Sequence, residues 1–115
     1  MSCVDKLRSA GIRVAVASNQ QSHRANIMAN NLGYRSRFDE LFFSCELGCV
    51  KPDHRFFGTI LSHLKIRSRQ VLFIDDHLEN VSGARKAGIQ SERYHIDQGF
   101  QKFQSILEHY NLHVA

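Results

Sequence analysis

The 115-residue sequence has no block of lysine and arginine of the kind that grips a nucleic-acid backbone. Arg35, Arg37, Arg67 and Arg69 are scattered pairs, and a formal net charge of +4 reads as a solvated basic surface. No nucleic-acid partner is expected. No apolar run approaches the length of a membrane span, so no membrane partner is expected either. The start, Met1-Ser2-Cys3-Val4-Asp5, does not have the pattern of a signal peptide. Cysteine is scarce: Cys3, Cys45 and Cys49 are an odd number without a CxxC. A zinc site needs about four ligands, and no second pair is present. Reduced thiols in a cytoplasmic protein are the expectation. There is no internal repeat, low-complexity tract or linker, which leaves one domain over residues 1–115 with a modest core. The histidines are His23, His54, His63, His77, His95, His109 and His113. Only His109 and His113 stand at i,i+4, and all seven read as surface or structural.

What is present is an alternation of apolar strands and amphipathic helices. Residues 4–10 read as a helix end closed by Gly11, and residues 12–17 as a β-branched strand. A helix over residues 22–32 follows, with Ile27, Met28 and Leu32 inward and Gly33 as its stop. After a short connection at residues 38–41, residues 41–45 read as a third strand. The loop over residues 48–53 holds Pro52, and Asp53 is placed to cap the next helix, whose apolar stripe is Phe56, Phe57, Ile60, Leu61 and Leu64. Residues 71–74, Val-Leu-Phe-Ile, read as a strand buried on both faces. Asp75 and Asp76 follow it directly, then a helix from His77 to Ala87 stopped by Gly88. A strand over residues 91–96 and a helix over residues 98–110, with Phe100, Phe103, Ile106, Leu107 and Tyr110 on one face, complete the chain. This order predicts an α/β fold with a parallel sheet.

Parallel strands gather their carboxyl ends, where open α/β sheets place their chemistry. Three polar groups fall there: Ser18 and Asn19, Lys51, and the pair Asp75-Asp76. A hydroxyl and an ammonium suit a phosphate, and neighbouring carboxylates suit Mg2+. Each also has a plainer reading: a helix-start hydroxyl, a surface lysine before a turn proline, a capping aspartate with a solvated neighbour.

Ala17-Ser18-Asn19, Val50-Lys51-Pro52-Asp53 and Phe73-Ile74-Asp75-Asp76-His77-Leu78-Glu79-Asn80-Val81 resemble motifs II, III and IV of the haloacid dehalogenase-like (HAD) hydrolase superfamily. The resemblance implies a three-layer, Rossmann-like α/β fold, with about four parallel strands and helices on both faces. It implies that Ser18 binds the transferring phosphoryl group, supported by Asn19, and that Lys51 neutralises it. It makes Asp76 the main Mg2+ contact with Asp75 beside it. Asn80 stands where many relatives carry a second acid.

The family's motif I, an Asp-x-Asp whose first member attacks the substrate, does not occur in the sequence. The chain therefore reads as a truncated core domain that starts after motif I and the cap and is not catalytic alone. In the family the motif I strand lies between those of motifs II and IV. Its loss predicts either direct pairing of residues 12–17 with residues 71–74, or a homodimer or other partner chain that supplies the strand. Two alternatives stand beside this. One is an active Mg2+-dependent phosphohydrolase acting on a phosphorylated small molecule, completed by another chain or using a substitute nucleophile such as Asp75. The other is a receiver-like phosphate-binding module.

Overall fold

A computed structural model describes residues 2–112, in two compact units, one ending at Val50 and the other spanning Lys51–Leu112. His113 lies outside the described residues.

The first unit opens with α1, Cys3–Ser9, whose cap is local chemistry. Ser2 Oγ accepts the Asp5 N–H at 3.2 Å, and the Asp5 carboxylate reaches back to Ser2. β1, Ala15–Ser18, pairs in parallel with β2, Glu40–Phe43, with Ser18 opposite Phe43. Between them lie α2, Ser22–Asn26, its continuation as a π-helical turn, Ile27–Asn31, and α3, Tyr34–Arg37. The π turn carries an extra residue per turn and rotates the inward face. Ala25, Met28 and Ala29 are therefore the buried positions, Ile27 is half-buried and Leu32 is 49% exposed, not inward as periodicity predicted. These three pack with Phe43 against Val16, Tyr34 and Leu41. The third strand is shorter than expected, because Ser44 and Cys45 already belong to α4, Ser44–Leu47.

In the second unit, Asp53 caps α5, His54–Leu64, accepting the Arg55 N–H at 2.8 Å. β3, Leu72–Asp75, pairs in parallel with β4, Gln90–Arg93, across α6, Leu78–Lys86. α7, Phe100–His109, follows. Phe56, Phe57, Ile60, Val81, Ala84, Ile89, Ile106 and Leu107 form the buried set. Ser91, almost fully buried, donates its hydroxyl to the Val81 carbonyl at 2.9 Å and so ties β4 to α6. Phe100, on the expected inner face of its helix, is more than half exposed, and so is Leu78 at the start of α6.

The four expected strands are present and parallel, but their ladders run two and two. Each ladder lies within one unit, β1 with β2 in the first and β3 with β4 in the second. The apolar residues of β3, Leu72, Phe73 and Ile74, are half-buried, not buried on both faces: β4 is its one ladder partner among the described residues.

One close approach fixes the loop that carries Lys51. A Cβ on Gly83 of α6 would lie 2.7 Å from both Cβ and O of Pro52. Gly83→Ala is therefore expected to cost about 1–3 kcal/mol through overpacking, against the small gain that alanine normally brings to a helix. Urea unfolding measures it, and a stabilised variant would show that the loop yields freely.

Candidate functional site

The site of the second unit is built on the end of β3. The ladder carries Asp75 to the last strand position, opposite Arg93, and its main-chain carbonyl accepts the Tyr94 N–H at 3.0 Å. The side chain is nearly enclosed, with 7% exposure, and Lys51, whose side chain is 9% exposed, donates from Nζ to Oδ2 at 2.7 Å. The His77 N–H donates to Oδ1 at 2.8 Å, closing a tight turn into α6. Asn80, buried in the first turns of α6, places Nδ2 3.3 Å from each carboxylate oxygen. Lys51 Nζ also lies 5.6 Å from the centre of the Phe73 ring, a cation–π distance.

Burial alone pushes the Asp75 carboxyl up. The Lys51 hydrogen bond, the His77 N–H, the Lys51 charge and Asn80 together outweigh it and hold the group below the ordinary carboxylate value. Asp75 is thus a charged, fully partnered carboxylate.

Asp76 is different. Its side chain is 50% exposed, with His77 Nδ1 3.8 Å from Oδ1, while its main-chain carbonyl accepts Arg93 Nε at 3.0 Å. One donor atom each from Asp75, Asp76 and His77 lie within 4.8 Å of one another, close enough for a shared cation. Two of the three are hard oxygen donors.

Ser18 and Asn19 belong to the first unit, at the carboxyl end of β1. Ser18 is half-buried and Asn19 exposed. Gln20 Nε2 donates to Ser18 Oγ at 2.8 Å. The Gln20 N–H donates to Ser44 Oγ at 2.9 Å, and Ser44 Oγ is 3.3 Å from the Gln20 carbonyl.

Of the residues expected from sequence, Lys51, Asp75 and Asp76 thus share one cluster of the second unit. Three contacts at these residues are not legible in the sequence: the His77 amide at Asp75, Gln20 at Ser18, and Ser44 at Gln20. From sequence, Asn80 is visible only as a departure from the second acid that many relatives carry. Its position five residues past Asp75, one turn into a helix that starts at once, was the available signal.

A family model described as haloacid dehalogenase-like hydrolase matches residues 1–88. Drimenol cyclase drtB of Aspergillus calidoustus is 31% identical over 94 residues, 82% of this chain and 18% of that protein. The chain thus spans under a fifth of that curated relative. An uncharacterised protein from Corynebacterium glutamicum superposes with a TM-score of 0.81 at 22% identity, covering 98% of this chain and 81% of the other. A putative HAD-hydrolase, YfnB from Bacillus subtilis, bound to magnesium, gives 0.65 at 21% identity, over 76% of this chain and 40% of that one. These structures share the α/β, Rossmann-like fold. With three ordered motifs and a family match over most of its length, the chain belongs to the haloacid dehalogenase-like hydrolase family.

Proposed function

We propose that these residues form a Mg2+- and phosphate-binding half-site of the HAD type, which does not hydrolyse phosphomonoesters unaided. The observation that carries this reading is the division of labour between the two aspartates. Both oxygens of Asp75 are engaged by Lys51, Asn80 and the His77 amide, while the Asp76 carboxylate next to it stands half exposed. The donor set suits Mg2+ through oxygen, with Asp76 as the direct contact, Asp75 beside it and water completing the shell; imidazole is the poorer ligand. When bound, the ion supplies neutralisation of phosphoryl oxygens. Lys51 brings an ammonium to the same charge. In the first unit, Ser18 offers a hydroxyl suited to a phosphoryl oxygen, and Asn19 supports the loop that carries it.

Attack on phosphorus needs an accessible carboxylate. The sequence has no Asp-x-Asp, and an enclosed Asp75 bonded at both oxygens is a poor substitute. A second reading is a phosphohydrolase acting on a phosphorylated small molecule, once another chain or segment brings the attacking group. The buried pair favours it, because enclosing Lys51 and Asp75 is seldom the most stabilising use of two core positions. The partner would be a second copy or another polypeptide that adds a strand beside β1 or β3. Family membership displaces the receiver-like alternative.

The test uses the 115-residue protein. Mg2+ is expected to raise its melting temperature, and Asp76→Ala to abolish that shift. The exposed carboxylate makes the metal-free Asp76→Ala protein about as stable as wild type, within roughly 0.5 kcal/mol. On a panel of phosphomonoesters no turnover is expected. Turnover that disappears in both Asp76→Ala and Lys51→Ala would sink the non-catalytic reading and favour the second.

A further inference from the structure

We propose that Gln20 and Ser44 are positioning residues that keep the Ser18 hydroxyl proton for an anionic oxygen. The proposal rests on the phosphate reading of Ser18 and adds what orients that group.

Ser44, 8% exposed at the start of α4, holds the main chain of Gln20 from both sides. Its oxygen accepts the Gln20 N–H at 2.9 Å, and its proton goes to the Gln20 carbonyl at 3.3 Å. A single hydroxyl thereby fixes both peptide groups of one loop residue. Hydrogen bonds of this kind satisfy main-chain groups that no strand or helix serves. With its backbone fixed, Gln20 turns its amide back two residues, and Nε2 donates to Ser18 Oγ at 2.8 Å.

The polarity of that last bond decides the chemistry. A serine hydroxyl has one proton and two lone pairs. Gln20 fills a lone pair, so the Ser18 proton is kept for another acceptor. A phosphoryl oxygen is an acceptor only, and a hydroxyl donating to a charged oxygen makes the stronger class of hydrogen bond. Were an acceptor to stand in place of Gln20 Nε2, the Ser18 proton would be drawn into the loop and its lone pairs turned toward the anion. The Ser44–Gln20–Ser18 chain thus works through Ser18 and needs no contact with phosphate of its own.

A double-mutant cycle tests this, with inorganic phosphate titrated in the presence of Mg2+. Gln20→Met keeps the side-chain length and removes the donor. Ser18→Ala is expected to weaken phosphate binding about tenfold and Gln20→Met about fivefold, the scale of one hydrogen bond to a charged group. In the Ser18→Ala background Gln20→Met should have no further effect. An equal effect in both backgrounds would overturn the proposal. A second readout needs no phosphate. The Gln20 side-chain amide resonances are expected to move in Ser18→Ala and in Ser44→Ala, and to return in Ser44→Thr. No movement in Ser18→Ala overturns the proposal whatever phosphate does. Movement together with phosphate affinity indifferent to Ser18→Ala supports the hydroxyl contact and overturns the phosphate reading itself.

Discussion

Lys51→Met destabilises the protein at neutral pH by about 3 kcal/mol, the lower end of the range for breaking a buried ion pair from one side. Methionine replaces the stem and removes the ammonium, which leaves the enclosed Asp75 carboxylate with the His77 amide and Asn80 alone. The sign of the pH dependence follows from the direction of the Asp75 shift. In the wild type its folded value lies below the ordinary one. Its contribution is therefore fully present above the unfolded value, about 3.9, and is lost as pH falls through the lower folded value. In Lys51→Met the main lowering influence is gone and burial, the largest single influence on this group, pushes it up. The variant should then regain stability relative to wild type as pH falls, because its Asp75 carboxyl, no longer held down by Lys51, takes up a proton sooner than that of the wild type. Urea midpoints of the two proteins between pH 7 and pH 4 measure this. Parallel curves would show that Lys51 stabilises through its stem and not its charge. Lys51→Met combined with Asp75→Asn should recover part of the loss, because no buried charge then remains.

The same pair shows where sequence reading reaches its limit. A strand at residues 71–74, one position before the observed Leu72–Asp75, was legible because apolar residues run directly into two acids and a helix. Both halves of the Lys51–Asp75 pair were named as site residues. Their bond was not legible, since it joins positions 24 apart and depends on how the loop before α5 folds back. Asn80 was visible as a departure from the family's usual acid. That its amide would span both Asp75 oxygens became clear only with α6 in place. Periodicity failed at Leu32 for a different reason. A 3.6-residue repeat assumes an α-helix throughout, and the π turn over Ile27–Asn31 shifts the face by one residue. At Ser44 an apolar run was extended into a strand, although Gly48, left-handed at φ 76°, ends a short helix there. The pairing of strands two and two could not be read either. Strand-forming patterns say which residues extend, and not which neighbour they find.

The larger packing effect is expected at Phe57. Its ring is 1% exposed and meets two others edge-on, Phe56 at 5.6 Å and Phe73 at 5.3 Å between centres. Phe57→Ala should cost about 3–5 kcal/mol, combining lost transfer energy with the cavity left behind. Against a total of about 5–15 kcal/mol for a domain, that is enough to leave the variant partly unfolded. Phe57→Leu keeps most of the volume and should cost about 1.5 kcal/mol or less, so the comparison stays measurable. The consequence extends to the site. Phe73 is the ring beneath Lys51, 5.6 Å from Nζ, and Phe57 is what holds that ring at its edge. Removing Phe57 frees Phe73 to turn, which weakens the support of the Lys51 ammonium over its face. Stability losses at Phe57 and Lys51 should then be non-additive, as for residues that share a partner. The measurement is urea unfolding of Phe57→Leu, Lys51→Met and the double variant. Strict additivity would mean that the aromatic cluster and the charged pair are independent, and that Phe73 does not link the core of this unit to its proposed chemistry.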